Sequence, residues 1–284
     1  MDRMNIAGGG VVALDVAGRR SAGLRFEVGG RRRMVLRQGA AVVMLGSVGR
    51  DHYGVDIYRT GVYRSPVAPI TAVEARRRGA WLHWFASALD DSDAGPLHDG
   101  SWLLAASGLP FDAVGSDLVR DFPSAYLDWF GAGWRDVVPL RPLPGDGDGR
   151  VKAYRKLVLD GILPPVLLWE VSALDGWVLL DGHARLAAAL LEGVRPAMLV
   201  LSRRADPDQR EGAMQVATQQ TEAIVRSQPA AAFNPLVRAL ADAHDQFDQM
   251  SGRTRAWPLA GGEQAWRSLA GAASPEWLAE TDAE

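Results

Sequence analysis

The residue types that could do chemistry cluster in one short segment, residues 181–185, which reads Asp-Gly-His-Ala-Arg. The apolar run before it, residues 177–180, predicts a strand, and the alanine- and leucine-rich run after it predicts a helix. Glycine between them allows a sharp turn and a close approach of another group to the backbone. Because free N–H groups and the positive end of the dipole attract anions at a helix start, the turn is a candidate anion site.

Three side chains of this turn add suitable chemistry. Arg185 carries a planar guanidinium that fits phosphate oxygens, so Gly182, His183 and Arg185 form the candidate phosphate-binding set. His183 could donate to a phosphate or relay a proton near neutral pH, and with Asp181 it forms the candidate catalytic pair. The alternatives are a helix-capping Asp181, a solvent-facing His183 and a surface Arg185 in a salt bridge.

A loop rich in proline, glycine and aspartate, residues 142–149, precedes this region. Asp146 and Asp148 could hold Mg²⁺ or act as the base of a kinase, since short carboxylate loops suit hard cations. A loop without chemistry is the alternative. Lys152 and Lys156, the only lysines, lie four residues apart on one face of the helix predicted to follow, an arrangement typical of a solvated face.

The elements that must position the turn form one α/β unit. It comprises a strand over residues 137–140, a helix over 151–160, a hairpin over 166–171 and 177–180, a helix over 184–191 and a strand over 197–201. Gly161 and Gly193 end the two helices.

The flanking segments have different patterns. Short strands in the first seventy residues predict a small sandwich or half-barrel, and Thr71 with Glu74 predicts a capping box for a helix extending through residue 85. After Ser202 the chain is predicted to be helical, over about residues 207–226 and 235–250.

The run from Gly161 to Leu201 resembles the ParB/sulfiredoxin superfamily, also known by its ParB-like nuclease domain, and the resemblance covers about residues 136–202. In that superfamily a helix ends in glycine, a proline-led hairpin follows, and a strand–turn–helix carries Gly-x-x-Arg. The resemblance implies that this turn, here Gly182 and Arg185, binds the phosphates of a nucleotide. It also puts Lys152 near the position from which sulfiredoxin-like members reach the nucleotide.

This turn departs from the superfamily at two positions. His183 stands where sulfiredoxins hold their catalytic cysteine, so this protein cannot carry out the sulfiredoxin reaction through a cysteine at that position. Ala184 stands where a second histidine or an arginine is usual. The partitioning members carry a further arginine and a helix-turn-helix domain, and neither pattern is present here.

Composition narrows the classes of function. The 284 residues include no cysteine, which excludes disulfides, thiolate zinc sites and cysteine nucleophiles. A net charge of −3 disfavours sequence-independent binding of nucleic acid, although the runs 31–33 and 76–78 of three arginines could touch phosphate or simply be solvated. With no secretory signal and no apolar run long enough for a bilayer, we expect a cytoplasmic protein without a membrane partner.

The expected fold class is therefore α/β, in the sense of α+β. Residues 1–135 form an N-terminal β-rich module with helices, residues 136–204 a ParB/sulfiredoxin-like nucleotide-binding domain, and residues 205–284 a C-terminal helical extension. The resemblance implies an ATP- or CTP-dependent phosphotransferase or NTPase that uses Mg²⁺ and an unidentified small-molecule acceptor. The alternative is a non-catalytic module, or a DNA-associated ParB-like protein, that recognises a protein or nucleic-acid partner.

Overall fold

A computed structural model describes residues 1–6, 10–30, 32–50, 53–77, 79–107, 119–129, 136–227 and 249–283. The chain has a mixed α/β fold with two mixed sheets. Its strands are β1 (Asp2–Asn5), β2 (Val11–Val16), β3 (Leu24–Gly30), β4 (Arg33–Gln38), β5 (Ala41–Val48), β6 (Gly54–Arg59), β7 (Gly100–Ser107), β8 (Ser124–Asp128), β9 (Val137–Pro139), β10 (Val166–Val171), β11 (Gly176–Asp181), β12 (Met198–Arg203) and β13 (Ala256–Pro258).

The helices of these ranges are α1 (Ala72–Arg77), α2 (Trp81–Asp90), α3 (Gly149–Leu159), α4 (His183–Leu191), α5 (Pro207–Ser227), α6 (Gly262–Ala273) and α7 (Pro275–Ala283). None of these helices is long and apolar enough to cross a membrane.

The first sheet has seven strands in the order β1-β2-β7-β12-β10-β11-β9. The pairs β10–β12 and β9–β11 are parallel and the other pairs are antiparallel. Since β9 and β11 run in the same direction, their carboxyl ends meet at one edge of the sheet. The predicted turn lies at this edge.

The second sheet has six strands in the order β13-β3-β4-β5-β6-β8. Its one parallel pair joins β13, near the C-terminus, to β3 near the N-terminus. Helix α6 packs on β3 and β4, and the indole of Trp266 donates a hydrogen bond of 2.9 Å to the carbonyl oxygen of Met34. The C-terminal segment is therefore part of the second sheet and its cover.

The largest apolar cluster joins the two sheets. It contains residues of the first sheet such as Leu14 and Leu167, residues of the second such as Phe26 and Ile57, and Leu157 of α3. A second cluster packs α4 against the other face of the first sheet, and a third packs α6 and α7 against the second sheet. Burial of apolar surface on both faces of each sheet holds these layers together.

Local sequence signals predicted several elements correctly. Thr71 and Glu74 form the predicted capping box, in which Thr71 N–H donates to Glu74 at 3.0 Å and Glu74 N–H donates to Thr71 Oγ1 at 3.2 Å. The predicted single helix is wrong, however, because α1 ends at Arg77 and α2 begins at Trp81. The helix predicted over residues 235–250 lies largely outside the described residues.

The first seventy residues do not form one small sandwich, because β1 and β2 belong to the first sheet and β3 to β6 to the second. Strand pairing also crosses both boundaries of the three predicted segments. β7 of the first segment pairs with β12 of the second, and β13 of the third pairs with β3. The three-domain division stays a prediction.

A buried arginine connects the second sheet to the edge where the turn lies. Arg59, the last residue of β6, is fully buried and donates to the carbonyl oxygens of Arg120, Asp121, Pro123 and Pro139. Burial lowers the pKa of Arg59 to about 10, which still leaves the guanidinium charged at neutral pH. Because Pro139 ends β9, this side chain fixes β9 relative to β6.

Replacing this arginine tests its structural role. We expect Arg59→Met to reduce the free energy of unfolding by about 2–4 kcal/mol, because four carbonyl oxygens lose their donor at about 1–3 kcal/mol each while relief from burying a charge offsets part of the loss. Urea denaturation measures the change, with the exposed Arg20→Met as control. An Arg59→Met protein as stable as the wild type would contradict the assignment.

Candidate functional site

The turn between β11 and α4 has the backbone that the sequence pattern predicts. Gly182 has a φ of +98°, in the left-handed region that favours glycine, and α4 begins at the next residue. The N–H of Leu186 donates to the carbonyl oxygen of Gly182 at 2.7 Å. The N-cap residue Gly182 has no side chain, and no other side chain of the described residues caps α4, so the N–H groups of its first turn have no side-chain acceptor there.

A buried ion pair closes this turn. Arg185 donates to Oδ2 of Asp181 at 2.7 Å, and Ser65 donates to Oδ1 of the same carboxylate at 2.8 Å. Both charged residues are buried, and the guanidinium lies 5.9 Å from the ring centre of Tyr154. Asp181 therefore does not cap the helix, and Arg185 is not a surface residue, contrary to the two structural alternatives for these side chains.

The side chain of His183 is unusual for a buried polar group. Its side chain is buried, and neither ring nitrogen has a hydrogen-bond partner among the described residues. Burial, followed by the positive charges of Arg141 and Arg185, lowers the pKa of His183 to about 3. The imidazole is therefore neutral at physiological pH, and the alternative of a solvent-facing His183 is wrong.

Arg141 brings a second positive charge to the turn. It follows β9, the parallel neighbour of β11, and its charge acts on both His183 and Tyr63. The side chain is half-buried, and the described part of the chain offers it no hydrogen-bond or ion-pair partner. Arg141 and Arg185 together carry two positive charges against the one negative charge of Asp181.

The segment after β6 covers the turn from the second sheet. The hydroxyl of Tyr63 donates to the carbonyl oxygen of Leu180 at 2.7 Å, and its ring centre lies 6.2 Å from that of His183. Burial, with the charge of Asp181, raises the pKa of Tyr63 well above its ordinary value, so this hydroxyl is protonated. Tyr63 and Ser65 hold the end of β11 in place.

The other predicted site residues do not reach the turn. Lys152 lies on the exposed face of α3, about 200° around the helix from Tyr154, which faces Arg185. Asp148 is the N-cap of α3, and its Oδ1 accepts from the N–H groups of Arg150 at 2.7 Å and of Val151 at 3.2 Å.

The predicted metal site is not assembled. Asp146 is exposed, and Asp148 is engaged as a helix cap. Within the described ranges, no group of three or more histidine, aspartate or glutamate residues could hold a metal ion. Asp146 and Asp148 do not by themselves fit the donor set of a resident Mg²⁺.

Sequence reasoning missed Arg141, Tyr63 and Ser65. The sequence did contain a signal for Arg141. This residue follows a predicted strand, and ligands commonly bind at the carboxyl ends of adjacent parallel strands. Tyr63 and Ser65 are more than 110 residues away from their partners, Leu180 and Asp181. No local pattern could indicate those contacts.

Comparison of the chain with protein-family models, with curated proteins and with solved structures finds no match. The resemblance of residues 136–202 to the ParB/sulfiredoxin superfamily therefore stays a prediction that rests on the sequence pattern.

Glycine at position 182 provides a test of the packing at the turn. A Cβ there would lie 2.9 Å from both Val166 Cγ1 and Arg185 Nη2, whereas at Gly193, with φ of +63°, it would meet nothing within 4 Å. Alanine at either position strains the backbone by about 1–2 kcal/mol, and at position 182 overpacking adds about 1–3 kcal/mol. We expect Gly182→Ala to unfold at lower urea than Gly193→Ala. Equal stability of the two variants would contradict this packing.

Burial of His183 predicts a loss of stability on the acid side. Above pH 6.5 neither state binds a proton at His183, whereas between pH 6.5 and 3 the unfolded state binds more protons, so the free energy of unfolding falls as pH falls. From about pH 7.5 to about pH 5 this contribution amounts to about 2 kcal/mol. We expect the free energy of unfolding of His183→Leu to lack this pH-dependent contribution, which urea denaturation at both pH values measures.

The comparison of the two proteins isolates His183. His98 is also buried with a lowered pKa, chiefly because of desolvation, but its contribution is the same in both proteins. An equal acid-side loss in wild type and His183→Leu would mean that His183 is not buried in neutral form.

Proposed function

We propose that the turn between β11 and α4 binds the phosphate groups of a nucleotide. The observation that carries the proposal is the buried imidazole of His183, which has no hydrogen-bond partner among the described residues and lies at a helix start that none of their side chains caps. Buried polar groups in proteins ordinarily have a hydrogen-bond partner, so one without a partner indicates a ligand position.

Charge at the turn favours an anionic ligand. The ion pair with Asp181 compensates Arg185, whereas Arg141 has no compensating carboxylate among the described residues. A phosphate would accept from this guanidinium and from the first N–H groups of α4, both of which suit its oxygens. Nε of Arg185 is a further donor, because it is buried and has no hydrogen-bond partner among the described residues.

A neutral His183 would act as a hydrogen-bond donor to the ligand. Burial is the largest cause of the lowered pKa of this imidazole, and the positive charges of Arg141 and Arg185 lower that pKa further. A bound phosphate would offset those two charges and so raise the pKa, while the burial that keeps the ring neutral would remain.

Phosphoryl transfer or hydrolysis at this site would depend on positioning and on charge neutralisation, as is usual for this chemistry. Resemblance of the turn to the ParB/sulfiredoxin superfamily makes ATP and CTP the first ligands to test. Mg²⁺ would come with the nucleotide and neutralise its phosphates, and no step requires a metal held by Asp146 and Asp148. A binding module without turnover is the alternative function, consistent with Ala184 in the turn.

Arg141 provides the sharpest test, because its side chain has no partner to lose among the described residues. We expect ATP or CTP with Mg²⁺ to raise the melting temperature of the wild type, as a ligand specific for the folded state must. Arg141→Gln should weaken binding about tenfold or more, since a hydrogen bond to a charged group contributes about 1.5–3 kcal/mol. Isothermal titration calorimetry gives the two dissociation constants.

The matched control is Arg20→Gln, which removes an exposed arginine between β2 and β3 and should leave affinity unchanged. No binding of any nucleotide by the wild type, or equal loss in both variants, would contradict the proposal. Release of phosphate by the wild type, but not by His183→Gln, would support an enzyme. Binding without turnover would support the binding module.

A further inference from the structure

A second positively charged cavity lies away from the turn, between β4, the β5–β6 connection, α6 and α7. Its volume is about 290 Å³. Four arginines line it, namely Arg32, Arg33, Arg50 and Arg267. We refer to it as the arginine cavity.

Two of the four arginines hold the cavity together. Arg33 contacts Asp282 at 3.3 Å, and Arg267 contacts the same carboxylate at 2.5 Å. Arg267 also pairs with Glu263 at 3.4 Å within α6. The guanidinium of Arg33 lies 4.6 Å from the ring centre of Trp266, a cation–π contact that fixes its orientation. Ion pairs and a cation–π contact therefore hold one wall of the cavity.

The other two arginines have no such function. Arg32 is half-buried and Arg50 exposed, and neither has a hydrogen-bond or ion-pair partner for its side chain in the part of the chain that the structure describes. The acidic residues that line the cavity are Asp56, Glu263 and Asp282. Among the described residues that line the cavity, four positive charges therefore face three negative ones, and Glu263 and Asp282 are already engaged by Arg33 and Arg267.

Charges of both signs act on Arg33. Desolvation is the largest cause of its lowered pKa; the charges of Asp282 and Glu263 raise that pKa, and those of Arg267 and Arg32 lower it. The guanidinium groups of Arg267 and Arg32 therefore repel that of Arg33. An anion bound between them would relieve the repulsion and would supply the acceptors that Arg32 and Arg50 lack.

We propose that the arginine cavity binds a compact, multiply charged oxyanion of the phosphate class, such as pyrophosphate or the phosphate end of a small phosphorylated metabolite. Planar guanidinium groups match phosphate oxygens in a bidentate manner. A volume of 290 Å³ lies at the small end of ligand pockets, which span about 300–1,000 Å³, so the cavity suits a compact anion better than a whole nucleotide. The inference does not rest on the proposed function of the turn.

Titration of the full chain with pyrophosphate tests the proposal. The experiment uses isothermal titration calorimetry without Mg²⁺, at an ionic strength of about 0.15 M, where exposed charges farther apart than about 8 Å are screened. We expect saturable binding of one pyrophosphate at the arginine cavity. Arg32→Gln/Arg50→Gln should bind at least tenfold more weakly, and it breaks none of the ion pairs of the wall.

Two controls distinguish the arginine cavity from the turn and from a general effect of net charge. Arg20→Gln/Arg64→Gln removes the same number of exposed charges elsewhere, and it should bind as the wild type does. Arg141→Gln removes the unpartnered cation of the turn, and it should keep the binding that Arg32 and Arg50 provide. Thermal denaturation without ligand checks that each variant is folded, which we expect because none of the replaced side chains has a partner among the described residues.

Each remaining outcome would overturn the proposal. Absence of saturable binding by the wild type would show that the cavity does not take this ligand class. Unchanged affinity in Arg32→Gln/Arg50→Gln would show that binding lies elsewhere, and loss confined to Arg141→Gln would place all of it at the turn. Equal loss in the two double variants would indicate a response to net charge alone.

Discussion

The carboxylate of Asp181 is the interaction on which the candidate site depends. It accepts from Ser65 and from Arg185, so one buried side chain connects the end of β11, the first turn of α4 and the segment after β6. Removal of this carboxylate would leave the buried guanidinium of Arg185 without its only hydrogen-bond acceptor among the described residues, which would be strongly destabilising. The ion pair has no net charge, so the net positive charge at the turn comes from Arg141 and from the helix dipole.

A second buried cation contacts the strand end that precedes Arg141. Arg59 binds four carbonyl oxygens, one of which belongs to Pro139, two residues before Arg141. Arg59 is the last residue of β6 in the second sheet, whereas Pro139 is the last residue of β9 in the first. The two sheets are thus joined at the site by a polar contact as well as by the apolar cluster between them. A site made in this way requires the whole fold, because its residues come from both sheets.

The sequence predicted what local interactions determine. The capping box at Thr71, the turn at Gly182 and the hairpin of β10 and β11 follow from residue types a few positions apart, and the structure contains all three. Pairing of β13 with β3 joins residues more than 220 positions apart, and no periodicity encodes it. Burial of His183 was missed for the same reason, since its cover includes Tyr63, 120 residues earlier in the chain.

The net charge of −3 disfavours a sequence-independent nucleic-acid binder, but it does not describe the field at either of the two sites. At physiological ionic strength the field of an exposed charge falls off over about 8 Å, so a small anion responds only to the groups that surround it. At the turn these groups are Arg141, the Asp181–Arg185 pair and a helix start, and in the arginine cavity they are four guanidinium groups against three carboxylates. At the turn, the paired charges of Asp181 and Arg185 are buried. In the cavity, Arg32 and Arg50 have no partners among the described residues. Attraction at the cavity should therefore be screened by salt far more than the hydrogen bonds offered by His183, because the imidazole is buried and neutral whereas the guanidinium of Arg50 is exposed.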